Sequence, residues 1–212
     1  MFPGILEEPR FDLLKRIAAA PPVPNSYLAG GTALAMMLGH RQSIDFDWFS
    51  PNMFAVEAVA EKLSAFGTLD VAETKKGTFH GFVDGIRVTW LYYPNPLLEE
   101  LIISPGIPGL SLASLVDIAL MKWAALSSRG SRKDFLDLYF IANAGLEIKA
   151  LYPLLIRKFP QANINHYHMI KSLSYFDDAE REPWPIMHKP AEWADVKGYF
   201  LKQHKLLLEA GL

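Results

Sequence analysis

Patterns typical of β-strands are confined to the first half of the chain, and this division most constrains the fold. Two alternating runs, TFHGFV and IRVTWLYY, flank the dipeptide Asp84-Gly85, which favours a two-residue β-hairpin. A further alternating run extends from Ser43 to Ser50 and predicts another strand. Strand patterns disappear after a Pro- and Gly-rich connector at residues 94–110. The sequence therefore predicts an α+β fold whose β-sheet lies in the N-terminal half.

Helical spacing of apolar residues predicts helices on both sides of this connector. Before it, Thr32 to Leu38 suits a short buried helix that ends at Gly39, and a second helix is predicted over Phe54 to Phe66. After it, the predicted helices cover Ser111 to Ser128, Ser131 to Ala144, 148–159, 164–175 and 193–210. The predicted architecture is a small mixed β-sheet core with helices over residues 1–105, followed by a C-terminal helical bundle over residues 106–212.

The composition fits an ordinary folded protein and excludes several functional classes. The chain has 212 residues, of which 50% are hydrophobic and 21% charged. It contains no cysteine, which excludes disulfides and thiolate metal sites. The formal net charge of −2 excludes a strongly basic nucleic-acid binder but not a local basic groove. The longest uncharged apolar stretch, Leu101 to Val116, contains two prolines and is shorter than a membrane span of ~20 residues. We therefore expect a cytoplasmic protein that does not enter a membrane.

Two carboxylates interrupt the apolar alternation of the strand that begins at Ser43. Asp45 and Asp47 lie within the run IDFDW, although aspartate is a poor strand former. Side chains two residues apart on a strand project to the same side, roughly 6.5–7 Å apart, so both carboxylates can converge on one divalent ion or share two. Such oxygen ligands suit Mg²⁺ (or Mn²⁺), which usually takes one or two carboxylates together with substrate phosphates. In the alternative interpretation, the two acids pair with Arg41 or cap neighbouring backbone.

The segment before this strand has the features of a phosphate site. Gly30, Gly31 and Thr32 would place backbone N–H groups at the start of a helix, where a phosphate binds readily. Taken alone, the Gly-Gly pair is better explained by a tight turn. A phosphate cradle, a helix and a strand with Asp-x-Asp together favour a site for a nucleoside triphosphate with Mg²⁺.

Three blocks of the sequence resemble a known protein family. The block GGTALAMMLGHRQSIDFDWF (30–49) is similar to the first motif of the AbiEii/AbiGii toxin-like nucleotidyltransferases, a branch of the DNA polymerase β-type nucleotidyltransferase superfamily. The block DIALMKWAALSSRGSRKDFLDLYF (117–140) resembles the downstream motifs of that family, and YHMIKSLSYFDDAEREPWP (167–185) resembles the C-terminal part of many relatives. The resemblance implies a nucleotidyltransferase core over residues 1–105 and a helical domain over 106–212 that completes the active-site cleft.

The resemblance also implies roles for individual residues. Asp45 and Asp47 would hold Mg²⁺ (or Mn²⁺), and Lys122 would reach the phosphates of the nucleotide. Asp134 or Asp137 would complete the far side of the cleft. The implied nucleotide-binding residues are Gly30, Gly31, Thr32, Arg41, Ser43, Lys122 and Lys133, and the implied catalytic residues are Asp45, Asp47, Lys122, Asp134 and Asp137.

Two of these residues have structural alternatives. Without the resemblance, Lys122 is equally well explained as a surface lysine whose stem covers apolar residues. Asp134 follows Ser131 at capping-box spacing, so helix capping alone would explain it.

The sequence departs from the family pattern at one position. Polymerase β-type enzymes usually bring a third carboxylate from a nearby strand, as a metal ligand or as the general base for the attacking hydroxyl. The corresponding strand here, Ile86 to Tyr93, has Thr89 at that position. Activation of the acceptor must then come from another residue, such as Asp134 or Asp137, or from the metal alone. Otherwise the site binds a nucleotide without turnover.

We therefore expect a Mg²⁺-dependent nucleotidyltransferase that transfers a nucleoside monophosphate from an NTP to an acceptor hydroxyl and releases pyrophosphate. The acceptor would be an RNA 3′ end or a protein side chain. The resemblance implies a toxin that is paired with a separate antitoxin protein. Two alternatives stay open: a catalytically reduced module of the same fold that binds a nucleotide or a protein partner, and a kinase-like phosphotransferase.

Overall fold

The computed structural model describes residues 2–162 and 164–210. The chain forms two compact units, Met1–Ser114 and Leu115–Leu212. The first unit carries the β-sheet and the second is helical, so the α+β fold class predicted from the sequence is confirmed. No helix within the two described ranges is long and apolar enough to cross a membrane.

The N-terminal unit is built around a mixed sheet. Its helices are α1 (Glu8–Ala19), α2 (Gly30–Leu38) and α3 (Val56–Ser64), after a short 3₁₀ helix at Pro3–Ile5. Its strands are β1 (Tyr27–Ala29), β2 (Phe46–Ser50), β3 (Leu69–Lys75), β4 (Thr78–Val83), β5 (Ile86–Tyr92), β6 (Ile102–Ile103) and β7 (Ser111–Leu112). The seven strands found in the described part of the chain lie in the order β3-β4-β5-β2-β1-β7-β6. The pairs β2/β5 and β1/β7 are parallel, and the other neighbouring pairs are antiparallel.

The predicted hairpin at Asp84-Gly85 is confirmed. Strands β4 and β5 are antiparallel, and Val83 pairs with Ile86 across the turn. Asp84 and Gly85 have φ angles of 50° and 77°, the two positive values that a two-residue type I′ turn requires. The Asp84 carboxylate also accepts a hydrogen bond of 2.8 Å from the backbone N–H of Thr68, which fixes the turn against the start of the preceding strand.

The central strands separate an apolar face of the sheet from a polar one. The rings of Trp48 on β2 and Trp90 on β5 are in register and stack with centroids 5.4 Å apart. Phe79 on β4 pairs with Trp90 and is fully buried, and burying a phenylalanine side chain stabilises a fold by about 1.5–3 kcal/mol. The intervening residues, Asp47 and Thr89, project to the opposite face because side chains alternate along a strand.

Strand β2 begins at Phe46, three residues later than the predicted start at Ser43. Its neighbour β1 ends at Ala29, opposite Asp47. The chain turns from there into α2, so residues 43–45 have no strand partner on that side. Asp45 therefore precedes the strand on which Asp47 lies.

The C-terminal unit contains helices α4 (Leu115–Arg129), α5 (Arg132–Asn143), α6 (Ile148–Leu151), α7 (Leu155–Lys158), α8 (His166–Ser172), α9 (Asp177–Arg181) and α10 (Trp193–Glu209). Phe135 on α5 centres its aromatic core, with ring centroids 5.0 Å from Phe176, 5.8 Å from Trp193 and 5.0 Å from Phe200.

Two predicted helices have different bounds in the structure. The helix predicted from Ser111 begins at Leu115, because Ser111 and Leu112 form β7 and pair with β6. The helix predicted over 148–159 is divided into α6 and α7 by a 3₁₀ helix at Tyr152–Leu154. This 3₁₀ helix contains Pro153, which lacks the N–H that a continuous α-helix needs.

The capping-box interpretation of Ser131 and Asp134 is wrong. Ser131 occupies the N-cap position of α5, but its side chain makes no capping hydrogen bond. Its hydroxyl donates instead to the Glu182 carboxylate at 2.9 Å. The same carboxylate accepts the backbone N–H of Arg132 at 2.9 Å, so a distant glutamate caps the helix and the Asp134 side chain is available for other contacts.

A buried ion pair connects α4 and α7. Lys158 Nζ lies 2.6 Å from Asp117 Oδ1, and both side chains are fully buried. Burial lowers the pKa of Lys158, whereas the hydrogen bond and charge of Asp117 act in the opposite direction. Because a buried charge is costly unless paired, the two residues depend on each other.

Candidate active site

The Gly-Gly pair brings the start of α2 against several predicted site residues. Gly30 has a φ of +68°, and a Cβ atom at this position would lie 2.8 Å from Asp47 Oδ2. A Cβ atom at Gly31 would lie 2.7 Å from Arg41 Nη2 and 2.9 Å from Ser43 Oγ. The glycines therefore permit a carboxylate, a guanidinium and a hydroxyl to approach the first turn of the helix together.

Thr32 ties this turn to the segment that precedes β2. Its side chain is almost fully buried, with 1% exposure for the residue. Its hydroxyl lies 2.9 Å from Ser43 Oγ and donates a hydrogen bond to the carbonyl oxygen of Asp45. The contacts of Thr32 thus hold together the two sequence segments that carry the predicted nucleotide and metal ligands.

Asp45 and Asp47 are accessible to solvent in different degrees. The Asp45 side chain is 42% exposed, and its Oδ2 lies 4.0 Å from the nearest nitrogen of Arg87, a half-exposed side chain. Asp47 is half-buried and lies next to Gly30. An ion pair at that distance between exposed groups is weak, so Asp45 is not locked to the arginine.

These two acids fit a hard divalent cation that shares its coordination with a substrate. Within residues 2–162 and 164–210, no group of three or more His, Cys, Asp or Glu residues is arranged to hold a metal ion. A protein site of one or two carboxylates, completed by phosphates and water, is what Mg²⁺ ordinarily uses. The close approach of Asp47 to the glycine turn places such a carboxylate beside the start of α2.

A polar row crosses the sheet beside Asp47. Thr89 on β5 is in register with Asp47 on β2 and with His80 on β4, and His80 Nδ1 lies 3.1 Å from Thr89 Oγ1. The row continues to Glu73 on β3, which pairs with His80. His80 was not predicted as a site residue from the sequence, although the predicted hairpin turn implies that it pairs with Thr89. Residues equally distant from a two-residue turn face each other, and His80 and Thr89 satisfy this relation.

The C-terminal unit contains a second cluster of predicted site residues. Lys122 Nζ on α4 lies 2.8 Å from Asp134 Oδ1 and 2.7 Å from Asp137 Oδ2 on α5. Both carboxylates are fully buried, whereas the Lys122 side chain is 9% exposed. Arg129, whose side chain is 60% exposed, donates to both oxygens of Asp134 at 2.7 and 3.0 Å. Lys133 is exposed on α5 and takes no part in this network.

The comparison with protein families matches the part of the chain that carries the second cluster. The family described as the nucleotidyl transferase AbiEii toxin of type IV toxin–antitoxin systems matches residues 83–207, more than half of the chain. The matched range contains Thr89 and the Lys122 cluster. The Gly-Gly turn, Asp45 and Asp47 precede it.

Two individual proteins are similar over most of the chain. An uncharacterized protein of Aquifex aeolicus (strain VF5) is 34% identical over 210 residues, which cover 96% of this chain and 98% of the relative. The fold is also similar to that of MenT4, a nucleotidyltransferase toxin of Mycobacterium tuberculosis H37Rv, with a TM-score of 0.55 and 16% identity. That similarity covers 93% of this chain and 84% of MenT4. With its match over residues 83–207, the chain belongs to the AbiEii nucleotidyltransferase toxin family.

Proposed function

We propose that this family member is a divalent-metal-dependent enzyme that transfers a nucleoside monophosphate from an NTP to an acceptor hydroxyl and releases pyrophosphate. The observation that carries the proposal is the contact of Asp47 with the glycine turn at the start of α2, where a Cβ atom on Gly30 would lie 2.8 Å from the carboxylate. A metal ligand and a phosphate-binding backbone are thereby adjacent.

The start of α2 has the charge and shape that a triphosphate needs. The first backbone N–H groups of a helix lack intrahelical partners and carry partial positive charge. Gly30 and Gly31 leave this surface without side chains, and the guanidinium of Arg41 lies against Gly31. A phosphate group bound here would be neutralised by Arg41 and would lie beside the Asp47 carboxylate.

Asp45 and Asp47 are the residues that would hold Mg²⁺ or Mn²⁺. When bound, such an ion supplies positive charge to the phosphates and to the developing negative charge of the transfer reaction. A phosphate-binding role for Lys122 stays a prediction, as does a catalytic role for Asp134 or Asp137, because the contacts in the structure join these residues to one another.

The family description also supports a proposal for the biological setting. A toxin of a type IV system supports the proposal of a cognate antitoxin protein as a partner and of a cytoplasmic site of action. An RNA 3′ end and a protein hydroxyl are the two acceptor classes that we propose to test.

Calorimetric titration of each NTP, with Mg²⁺ and with EDTA, tests the binding half of this proposal. We expect at least one NTP to bind about tenfold or more tightly with Mg²⁺, equivalent to roughly 1.4 kcal/mol. Incubation with α-labelled and γ-labelled NTP, bulk RNA and protein then identifies the product. Transfer of the α label with release of pyrophosphate supports the proposal, whereas transfer of the γ label assigns the site to a phosphotransferase.

A catalytically reduced binding module is the second candidate. It is favoured by the register of Asp47 with Thr89, because a neutral side chain stands where an acid would activate the acceptor. This candidate predicts NTP binding without pyrophosphate release for every acceptor.

Replacing Gly30 with alanine is expected to weaken Mg²⁺–NTP binding about tenfold or more, because the added Cβ displaces Asp47. The left-handed backbone also costs roughly 1–2 kcal/mol of stability with alanine. Gly85→Ala is the matched control, since Gly85 has a φ of +77° and open space around the new Cβ. Titration calorimetry and urea unfolding of both variants separate the two effects. Equal NTP affinities would contradict the placement of the phosphate site at Gly30.

A further inference from the structure

The pair formed by His80 and Thr89 has no role in the proposed function so far. Its hydrogen bond joins His80 Nδ1 to Thr89 Oγ1 over 3.1 Å. Thr89 is 2% exposed, whereas His80 is half-buried. A threonine hydroxyl can accept one proton while it donates another, so the pair has the two groups that a short proton relay requires.

The register of the sheet places this pair beside the proposed metal ligand. Thr89 neighbours Asp47 on one side and His80 on the other. Neighbouring strands lie roughly 4.8 Å apart. Because residues in register project to the same face, the Thr89 hydroxyl lies between the carboxylate and the imidazole.

Charged residues lie on the strands that flank His80. Glu73 is in register with His80. The hydrogen bond and charge of Lys75 lower the pKa of Glu73, so this carboxylate is ionised at neutral pH. The charged groups on the strands of this face are Asp70, Glu73 and Lys75 on β3, Arg87 on β5, and Asp45 and Asp47 in or just before β2.

A hydroxyl that attacks phosphorus must lose its proton, and the four acids of the two candidate clusters already have other roles or partners. Asp45 and Asp47 are the proposed metal ligands. Asp134 and Asp137 are fully buried and ion-paired with Lys122. Histidine is the side chain whose charge ordinarily changes between pH 5 and 8, which suits it to accept a proton at neutral pH.

We propose that Thr89 and His80 form a proton relay that activates the acceptor hydroxyl, an inference that rests on the proposed nucleotidyl transfer. The acceptor oxygen forms a bond to the α-phosphorus as the bond from that phosphorus to the bridging oxygen of the β-phosphate breaks. Pyrophosphate leaves with the electron pair of the broken bond. The acceptor proton passes to Thr89 Oγ1, the Thr89 proton passes to His80 Nδ1, and the imidazolium later releases it to water. His80 acts through Thr89 and is thus a positioning residue.

The test compares His80→Gln, Thr89→Val and the double variant with the wild-type chain. We expect each single change to lower kcat by roughly 10²–10⁴-fold, the usual contribution of general acid–base catalysis. The NTP affinity of each variant, measured by calorimetry, should stay within about twofold of the wild-type value. This result would show that the variants are folded. The kcat of the double variant should be little lower than that of either single variant, because both residues serve one relay.

A pH profile separates the relay from a structural role. The wild-type kcat should fall at acidic pH, because a protonated imidazole cannot accept another proton. This acidic limb should vanish in His80→Gln. The control is His188→Gln, which changes an exposed histidine and should leave both the rate and the profile unchanged.

Thr89→Asp provides the sharpest variant. A carboxylate at this position can accept the proton itself. The variant His80→Gln/Thr89→Asp should therefore have a kcat at least tenfold higher than that of His80→Gln. A full rate and an unaltered pH profile in His80→Gln would overturn the relay, as would multiplicative losses in the double variant. Wild-type protein that binds NTP but transfers nothing would also overturn it, whereas absence of NTP binding would instead refute the proposed function on which it rests.

Discussion

Changing both Asp45 and Asp47 to asparagine is expected to lower nucleotidyl transfer by roughly a thousandfold or more. This factor corresponds to about 4 kcal/mol of transition-state stabilisation, the scale on which a bound metal ion acts in phosphoryl chemistry. Asparagine preserves the size of each side chain, so the Thr32 contact with the backbone of Asp45 and the approach of residue 47 to Gly30 can persist. The expected loss of rate therefore results from the removal of two negative charges and not from a change in side-chain size.

Initial rates from α-labelled NTP, measured over a range of Mg²⁺ concentrations, check this expectation. The single changes should differ, because Asp47 adjoins the turn proposed to bind phosphate whereas Asp45 is 42% exposed and lies near Arg87. Asp47→Asn should therefore have the larger effect. The matched control is Asp70→Asn, an exposed aspartate on the edge strand β3 of the same sheet. A double variant with the rate and Mg²⁺ dependence of this control would remove the two acids from the site.

Features of the fold that depend on local patterns could be predicted from the sequence. The hairpin at Asp84-Gly85 follows from two alternating runs and a turn that needs positive φ at both positions. Gly39 ends α2 with a φ of 62°, as the sequence predicted. In both cases, the residues that decide the structure are neighbours in the chain.

Features that depend on distant contacts could not be predicted. The strand order and the two-residue strands β6 and β7 have no periodic pattern of their own. The cap of α5 comes from Glu182, 51 residues after Ser131. Likewise, nothing in the local sequence indicated that Lys158 would be fully buried against Asp117.

The candidate site shows the same division. The glycines and the Asp-x-Asp pair were apparent because their spacing follows strand and helix geometry. The close approach of the Arg41 and Ser43 side chains to Gly31 could not be predicted. It depends on how the segment between α2 and β2 folds back against the start of the helix. To predict the hydrogen bond between Thr89 and His80, the residue pairing within the hairpin would have been needed, and not only the existence of the hairpin.

The second large effect is expected at Lys122. Changing it to methionine leaves the buried carboxylates of Asp134 and Asp137 without their shared cation, although Arg129 still pairs with Asp134. Removal of one partner from a buried ion pair typically costs about 3–5 kcal/mol. Urea unfolding followed by far-ultraviolet circular dichroism should show a loss of this size. The control is Lys133→Met, an exposed lysine on the neighbouring helix, for which a change within about 0.5 kcal/mol is expected.

The variant Lys122→Met/Asp137→Asn separates the structural effect from a functional one. Neutralising Asp137 removes a buried negative charge that has lost its lysine, so the double variant should be more stable than Lys122→Met by roughly 0.5–3 kcal/mol. Stability of Lys122→Met equal to that of Lys133→Met would contradict the buried network. If Lys122 also binds the nucleotide phosphates, the folded double variant should bind NTP more weakly than Asp137→Asn, which keeps the lysine. Equal NTP affinities of Lys122→Met/Asp137→Asn and Asp137→Asn would show that loss of the lysine does not weaken NTP binding. Lys122 would then serve the stability of the helical unit alone.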